Sequence, residues 1–279
     1  MSQHPALKAG NAAVITGGAS GIGLAAAKAF IELGMNVMIA DLKGEKLKRA
    51  GDELAELAEK KGVKALAHAT DVSDLSELEE LECAANRAFG NIHVLMNNAG
   101  IQPGTAIFGK QIPWDRIIGV NLTGVINGTR IFAPEMRAHG EPAMIINTGS
   151  KQGITTPPGN PAYNVAKAGV VALSESLLAE LQPLGIKVNV VCPSFFQTNL
   201  LDSYHGPDHQ SKNDMAKLLQ SSPISAQEVA DITYRESEAD QFMILPHERG
   251  RLALEQKRAD PQVIYQEMFK LAARRLEQG

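Results

Sequence analysis

Two side chains in the middle of the chain combine a phenol with an ammonium group, a pair suited to moving a proton. Tyr163 and Lys167 are four residues apart in a segment with a helical pattern, so they share one helix face. A free tyrosine has a pKa of about 10, too high for an efficient base at neutral pH. Because a nearby cation favours the phenolate, we expect Lys167 to lower the pKa of Tyr163. Tyr163 would then act as a general acid in one direction and as a general base in the other.

A serine hydroxyl stands thirteen residues before this tyrosine. Ser150 follows a predicted strand and can hydrogen-bond the oxygen of a substrate, which would hold that oxygen near the phenol. A second candidate pair, His205 and His209, has a spacing that suits a metal ion on a helix, but the intervening Gly206 and Pro207 argue against a helix there. We therefore expect a proton-transfer site and no metal site.

A glycine-rich turn near the N-terminus lies directly between a predicted strand and a predicted helix. The first glycine permits a tight turn, the second lets the backbone approach a pyrophosphate, and the third lets the helix pack closely on the strand. The N-terminus of the helix also offers unpaired N–H groups to phosphates. A simple turn is the alternative interpretation. The residues expected to contact a dinucleotide here are Gly17, Ser20, Gly21, Ile22 and Gly23.

An acidic residue follows the second predicted strand at the distance from the glycine turn that ribose binding requires. The carboxylate of Asp41 would accept hydrogen bonds from the ribose of NAD and repel the 2′-phosphate of NADP. The adjacent Leu42 supplies no cation, and Lys43 is interpreted as a solvated surface lysine. We therefore expect NAD rather than NADP. Asp71 and Val72 close the third predicted strand near the adenine, although Asp71, or Ser73 or Asp74 in its place, could instead cap the following helix.

The elements that would position these residues alternate along the chain. Short apolar runs at residues 12–16, 36–40, 64–70, 93–97, 143–148 and 187–192 are separated by amphipathic helical segments. This alternation predicts an α/β fold with a doubly wound parallel sheet, the Rossmann fold, in a single domain over residues 1–279. One long helix is predicted over 114–137 and another over 162–184. A further helix at 226–237, a short strand at 241–245 and a helix at 261–276 complete the pattern.

Composition excludes several classes of protein. The chain has 279 residues, a formal net charge of −4 and an apolar fraction of 44%. Neither a basic stripe for nucleic acid nor an apolar run long enough for a membrane span is visible. No signal peptide is recognised, so we expect a cytoplasmic protein that binds neither nucleic acid nor membranes. Cys83 and Cys192 are expected to be buried free thiols.

These motifs together resemble the classical short-chain dehydrogenase/reductase family. The loop spacing from Thr16 to Gly23, the segment Asn97–Gly100 after the fourth strand, and the Tyr-x-x-x-Lys pair stand in the family's order. The resemblance extends to Thr198, about two thirds of the chain. It implies a catalytic set of Asn121, Ser150, Tyr163 and Lys167, in which Asn121 holds a water that links Lys167 to solvent. A helix-interior asparagine that bonds backbone is the alternative for Asn121.

The resemblance also implies further contacts to the cofactor and the substrate. Lys167 would bind the ribose hydroxyls, and Thr198 would meet the nicotinamide carboxamide. The remaining cofactor contacts would be Asn98, Ala99, Gly100, Tyr163, Pro193 and Phe196. The substrate would lie against Gln102, Ser150, Gln152, Thr156, Tyr163 and Phe195. Because Phe195 and Phe196 are aromatic, we expect an apolar or aromatic substrate.

Two features depart from the family pattern. Pro193-Ser194 replaces the usual Pro-Gly, and serine does not adopt a positive φ cheaply. A charged helical tail over about 250–279 replaces the usual end of the chain. The segment over about 194–225 is long enough to serve as a substrate loop or lid. The two long helices resemble the family's dimer-forming pair, so we expect at least a homodimer and leave a tetramer open.

The sequence thus predicts an NAD-dependent oxidoreductase that moves a hydride between the cofactor and a secondary alcohol or ketone, a small-molecule substrate. A catalytically idle NAD-binding regulatory or scaffold protein is the alternative.

Overall fold

The chain is described by a computed structural model that covers residues 4–102, 113–194, 222, 224–239 and 241–277. Seven parallel strands form one sheet in the order β3-β2-β1-β4-β5-β6-β7. The strands β1 to β7 are Ala12–Thr16, Asn36–Asp41, Ala65–Ala69, Val94–Asn97, Ala143–Thr148, Ile186–Val191 and Met243–Ile244. The strand order reverses between β1 and β4, which opens a crevice beyond the carboxyl ends of the strands.

Helices cover both faces of the sheet because successive strand side chains point to opposite faces. The helices α1 to α10 are Gly21–Glu32, Glu45–Lys61, Leu75–Phe89, Trp114–Ile118, Gly124–His139, Lys151–Thr155, Pro161–Leu181, Ala226–Glu238, Glu248–Ala259 and Pro261–Glu277. Ala13 and Ile15 of β1 belong to the cluster formed with α1, α2 and α8, whereas Val14 belongs to the cluster with α3 and α5. This architecture confirms the predicted single Rossmann-type domain with a helical C-terminus.

The structure refines two predicted elements and adds one that was not predicted. The long helix expected over 114–137 contains a π-helical segment at Gly119–Thr123 between α4 and α5. The five-residue α6 was not predicted, because one turn carries too few apolar residues to show a period. The last strand is only Met243–Ile244, shorter than predicted.

The C-terminal tail forms two helices, and the first of them packs against α6 and the end of β7. Helix α9 contacts α6, and the ammonium of Lys257 donates a hydrogen bond to the carbonyl of Ile154. Arg251 donates from Nη1 to the carbonyl of Leu245 at 2.8 Å, which fixes the start of α9 to the end of β7. In the part of the chain that the structure describes, no helix has the length and apolarity needed to cross a membrane.

Candidate active site

The predicted serine and tyrosine meet at the carboxyl end of β5. Ser150 is the N-cap of α6, and its hydroxyl accepts a hydrogen bond from the backbone N–H of Gln152 at 3.1 Å. Tyr163 lies in the first turn of α7, where Pro161 occupies the first helical position. The side chains of Ser150 and Tyr163 are hydrogen-bonded, and both residues are 7% exposed. A phenol and a hydroxyl therefore face a common, nearly dry space.

The ammonium of Lys167 is buried beside the phenol ring. Its Nζ lies 5.9 Å from the ring centroid of Tyr163 and donates a hydrogen bond to the carbonyl oxygen of Thr148 at 2.7 Å. Lys167 is 3% exposed. Burial lowers the pKa of Lys167 to about 8, because no water stabilises the charged form. Within the described residues this charge has no carboxylate partner within ion-pair distance.

The expectation that Lys167 lowers the pKa of Tyr163 is wrong for the chain on its own. Burial raises the pKa of Tyr163 to about 12, although the hydrogen bond with Ser150 acts in the opposite direction. Because burial lowers the pKa of Lys167 to about 8, the lysine is neutral in the pH range where the phenol would ionise and adds no positive charge beside it. Tyr163 is consequently a protonated acid at neutral pH.

Asn121 lies inside the π-helical segment and is fully buried. Its side-chain amide pairs with the backbone of Ile101: Oδ1 accepts from the N–H and Nδ2 donates to the carbonyl, each at 2.8 Å. A Cβ at Gly100 would lie 2.9 Å from Asn121 Oδ1 and 3.7 Å from Lys167 Nζ, so these residues converge. The backbone-bonding arrangement is therefore present, and a catalytic role for Asn121 stays a prediction.

The glycine turn forms a closely packed cradle at the carboxyl end of β1. Gly17 and Gly21 have φ values of 63° and 55°, which side chains rarely adopt. A Cβ at Gly23 would lie 2.3 Å from the carbonyl oxygen of Gly17. Asn98 fixes the turn from β4, because its Nδ2 donates to the carbonyls of Thr16 and Gly17 at 3.1 and 3.0 Å. A turn this close to the helix N-terminus fits a dinucleotide pyrophosphate.

The carboxylate of Asp41 is held at the edge of this cradle. Its Oδ2 accepts a hydrogen bond from the N–H of Ala19 at 3.0 Å, and its Oδ1 accepts from the N–H of Leu42 at 2.9 Å. Leu42 itself is 51% exposed. A fixed negative charge thus stands where the sequence predicts the ribose.

Two aspartates follow β3: Asp74 caps the next helix, and Asp71 is the candidate contact to the adenine. Asp74 is the N-cap of α3 and accepts from the N–H of Ser76. Asp71 instead accepts from both the N–H and the hydroxyl of Ser73, and Val72 is buried. Asp71 is therefore not the cap, and adenine contacts from Asp71 and Val72 remain predictions.

Besides Ser150 and Tyr163, the structure describes three of the predicted substrate contacts, Gln102, Gln152 and Thr156. Gln102 is buried, and the Oε1 of Gln152 is buried without accepting a hydrogen bond from any described residue. Thr156, just after α6, has φ 45° and ψ 55°, a left-handed conformation that strains a β-branched residue. Other predicted site residues lie outside the described residues, namely Phe195, Phe196 and Thr198, as do His205, His209 and most of the loop at 194–225.

Some neighbours of the site could not be recognised from sequence. Cys192 is buried as predicted, whereas Cys83 is exposed on α3, contrary to prediction. The N–H of Ser150 donates to Cys192, and a Cβ at Gly149 would lie 2.8 Å from its sulfur. The only signal for this contact is a glycine before the serine, because a side chain there would displace the thiol.

The departure at Pro193-Ser194 is accommodated without backbone strain. Among the described non-glycine residues only Thr156 has a positive φ, so Ser194 does not need the conformation that glycine favours. Its N–H donates instead to Nδ1 of His247 at 3.2 Å, a residue just before the C-terminal extension. The two departures from the family pattern therefore touch each other.

Comparisons with known proteins agree with this geometry. A family model described as short chain dehydrogenase matches residues 11–207. A 3beta-hydroxysteroid dehydrogenase 2 of Eggerthella lenta is 35% identical, over 77% of this chain and 81% of that protein. A 3-alpha-(or 20-beta)-hydroxysteroid dehydrogenase of Mycobacterium bovis is 34% identical, over 69% and 72%. A short chain dehydrogenase/reductase from Burkholderia phymatum, solved in complex with NAD, is 31% identical with a TM-score of 0.85 over 94% of this chain and 96% of that one.

Proposed function

This chain belongs to the short-chain dehydrogenase/reductase family, and we propose that it is an NAD-dependent enzyme that interconverts a secondary alcohol and a ketone. The observation that carries the proposal is the meeting of Ser150, Tyr163 and Lys167 beside the glycine cradle, in a space from which water is largely excluded. The hydroxysteroid relatives are named as dehydrogenases, so they lend no support to a catalytically idle alternative.

The cofactor would be held by the cradle and by Asp41, and Lys167 would bind its ribose. When bound, NAD supplies the carbon that accepts or returns the hydride and, when oxidised, a positive charge. Ser150 holds the substrate oxygen by a hydrogen bond. The buried hydroxyl of Tyr163 donates its proton to that oxygen in reduction, and the phenolate takes the proton back in oxidation.

The substrate is proposed to be largely apolar, like the steroids in the names of the two relatives. Asn121 would complete the catalytic set, because its buried side-chain amide holds the segment at Ile101 next to Lys167. A homodimer formed through the long helices stays a prediction.

The preference for NAD can be tested through the Asp41 carboxylate. Reduction of NAD and of NADP would be followed by absorbance with a panel of secondary alcohols, for the wild type, Asp41→Ser and Asp52→Ser. The last variant removes an exposed carboxylate from α2 and is the matched control. We expect the wild type to prefer NAD and Asp41→Ser to shift the ratio of kcat/KM values towards NADP by about 10-fold to 100-fold, as expected for the loss of one charge contact. A wild type that prefers NADP would contradict the proposal.

A further inference from the structure

The proposed catalytic serine stands on a helix that is too short to be stable alone. Helix α6 has five residues, Lys151–Thr155, and Ser150 is its N-cap. One turn of helix is marginal in water, because fixing the backbone costs more than its few hydrogen bonds return. The next residue, Thr156, has a left-handed φ of 45°, which strains a β-branched side chain. Contacts from the rest of the fold must therefore hold α6 and, with it, the hydroxyl of Ser150.

The first half of α6 is held by β6, α7 and the loop after β6. The N–H of Lys151 donates to the carbonyl of Pro193 at 2.9 Å, and the N–H of Ser150 donates to Cys192. A Cβ at Gly153 would lie 2.6 Å from the carbonyl carbon and oxygen of Lys167, so α6 packs directly on the backbone of α7. These contacts lie at residues 150–153, towards the N-terminal end of α6.

The other end of α6 is held by the C-terminal extension. The last carbonyls of a helix need partners from outside it. The carbonyl of Ile154 accepts a hydrogen bond from the ammonium of Lys257 in α9. A hydrogen bond from a charged donor is stronger than one between neutral groups. The start of the extension also contacts the loop that holds Lys151, because Nδ1 of His247 accepts from the N–H of Ser194. The extension thus acts on both ends of the serine's helix.

We infer that Lys257 is a positioning residue for Ser150. By holding the carbonyl of Ile154, Lys257 fixes the orientation of α6 and hence of the hydroxyl that holds the substrate oxygen. Lys257 lies outside residues 11–207, which the family model matches, so the extension contributes to the geometry of the active site. The inference rests on the proposed function and extends it to a residue that acts through a helix.

The first test is turnover with the best secondary alcohol, beside NADH binding by fluorescence. Lys257→Met removes the ammonium, Lys257→Arg keeps a cationic donor, and Arg258→Met removes the neighbouring exposed cation of α9 as the matched control. We expect Lys257→Met to lower kcat by about 10-fold, because a misplaced hydroxyl binds the substrate oxygen less well. Lys257→Arg and Arg258→Met should keep the wild-type kcat, and NADH should bind all three variants as it binds the wild type.

A double-mutant cycle shows whether Lys257 acts through the serine. In a Ser150→Ala background, Lys257→Met should change kcat by less than about 2-fold, because the hydroxyl that it positions is gone. Equal losses in the two backgrounds would overturn the inference, as would a wild-type kcat in Lys257→Met.

Hydrogen exchange separates this inference from the proposed function, because it needs no turnover. The N–H of Gln152 donates to the Ser150 hydroxyl, and the N–H of Gly153 donates to the Ser150 carbonyl. In Lys257→Met, a peptide over residues 150–156 should exchange about 10-fold faster, while the strands of the sheet exchange as in the wild type. This local change in a protein without dehydrogenase activity would support the positioning role and contradict the proposed function. Dehydrogenase activity together with unchanged exchange at 150–156 in Lys257→Met would keep the function and overturn the inference.

Discussion

The two edges of the sheet handle buried polar groups in opposite ways. At the amino edge, His93 accepts a hydrogen bond from the N–H of Ala12 at Nδ1, and its Nε2 donates to Glu141 at 3.0 Å. Asn91 and His139 add bonds to the same glutamate. At the carboxyl edge, Lys167 is buried with a single backbone carbonyl as its partner among the described residues.

This difference separates structure from function. A network whose members satisfy one another stabilises the fold. A cation and a phenol buried without a countercharge cost free energy, and their protonation becomes adjustable by a ligand. Tyr163 and Lys167 lie at the carboxyl edge, and burial shifts the pKa values of both.

The largest expected effect is that of Lys167→Met, which should abolish activity without lowering stability at pH 7. The substitution removes the cation and the proposed donor to the cofactor ribose, so we expect kcat/KM to fall by at least about 100-fold. The same change relieves the burial of an unpaired charge. Thermal unfolding should therefore occur at an equal or higher temperature than in the wild type. A clear drop in melting temperature would show that Lys167 is a structural residue.

Stability should also depend on pH through Lys167. Its pKa is about 8 in the folded chain and 10.5 in the unfolded one, so between these values the unfolded state binds more protons and stability rises with pH. Relative to Lys167→Met, the wild type should gain about 2 kcal/mol between pH 8 and pH 10. Above pH 10 the raised pKa of Tyr163 lowers the stability of both proteins, because the unfolded tyrosine ionises first. Urea unfolding at a series of pH values measures this difference, and parallel curves for the two proteins would refute it.

A smaller and opposite effect is expected at the amino edge. His93→Phe keeps the ring but leaves the buried N–H of Ala12 without its acceptor, which should cost about 1–3 kcal/mol in the free energy of unfolding. Activity should be unchanged, because the residue lies at the far end of β4. Glu141→Gln is the milder control, since an amide oxygen still accepts from His93. If folded His93→Phe had a lower kcat than the wild type, the assignment of a purely structural role to the amino edge would be wrong.

The sheet can be predicted from the sequence because one pattern, an apolar run followed by an amphipathic helix, recurs along the chain. Six apolar runs separated by amphipathic helices leave few alternatives, and the run at Ala143–Thr148 is matched to the residue. The π-helical segment at Gly119–Thr123 escapes prediction because its apolar pattern continues that of the flanking helices. Helix α6 escapes it because one turn has no period.

The residues of the candidate site can be predicted from the sequence, whereas their pKa values cannot. The glycine turn and the pair Tyr163–Lys167 stand out by residue type and spacing, and Ser150 is identified through the resemblance to the family. The pKa of Tyr163 does not, because spacing on a helix says nothing about burial, which raises the pKa of the phenol and lowers the pKa of Lys167.

The most direct test of the account is hydride transfer in Tyr163→Phe beside the wild type. Absorbance of reduced nicotinamide would be followed with NAD and the best secondary alcohol, while NADH binding is measured by fluorescence in both proteins. We predict that kcat falls by about 100-fold to 10,000-fold and that NADH still binds, because only the proton donor has been removed. Turnover that survives in Tyr163→Phe would contradict the assignment of Tyr163 as the catalytic acid and base.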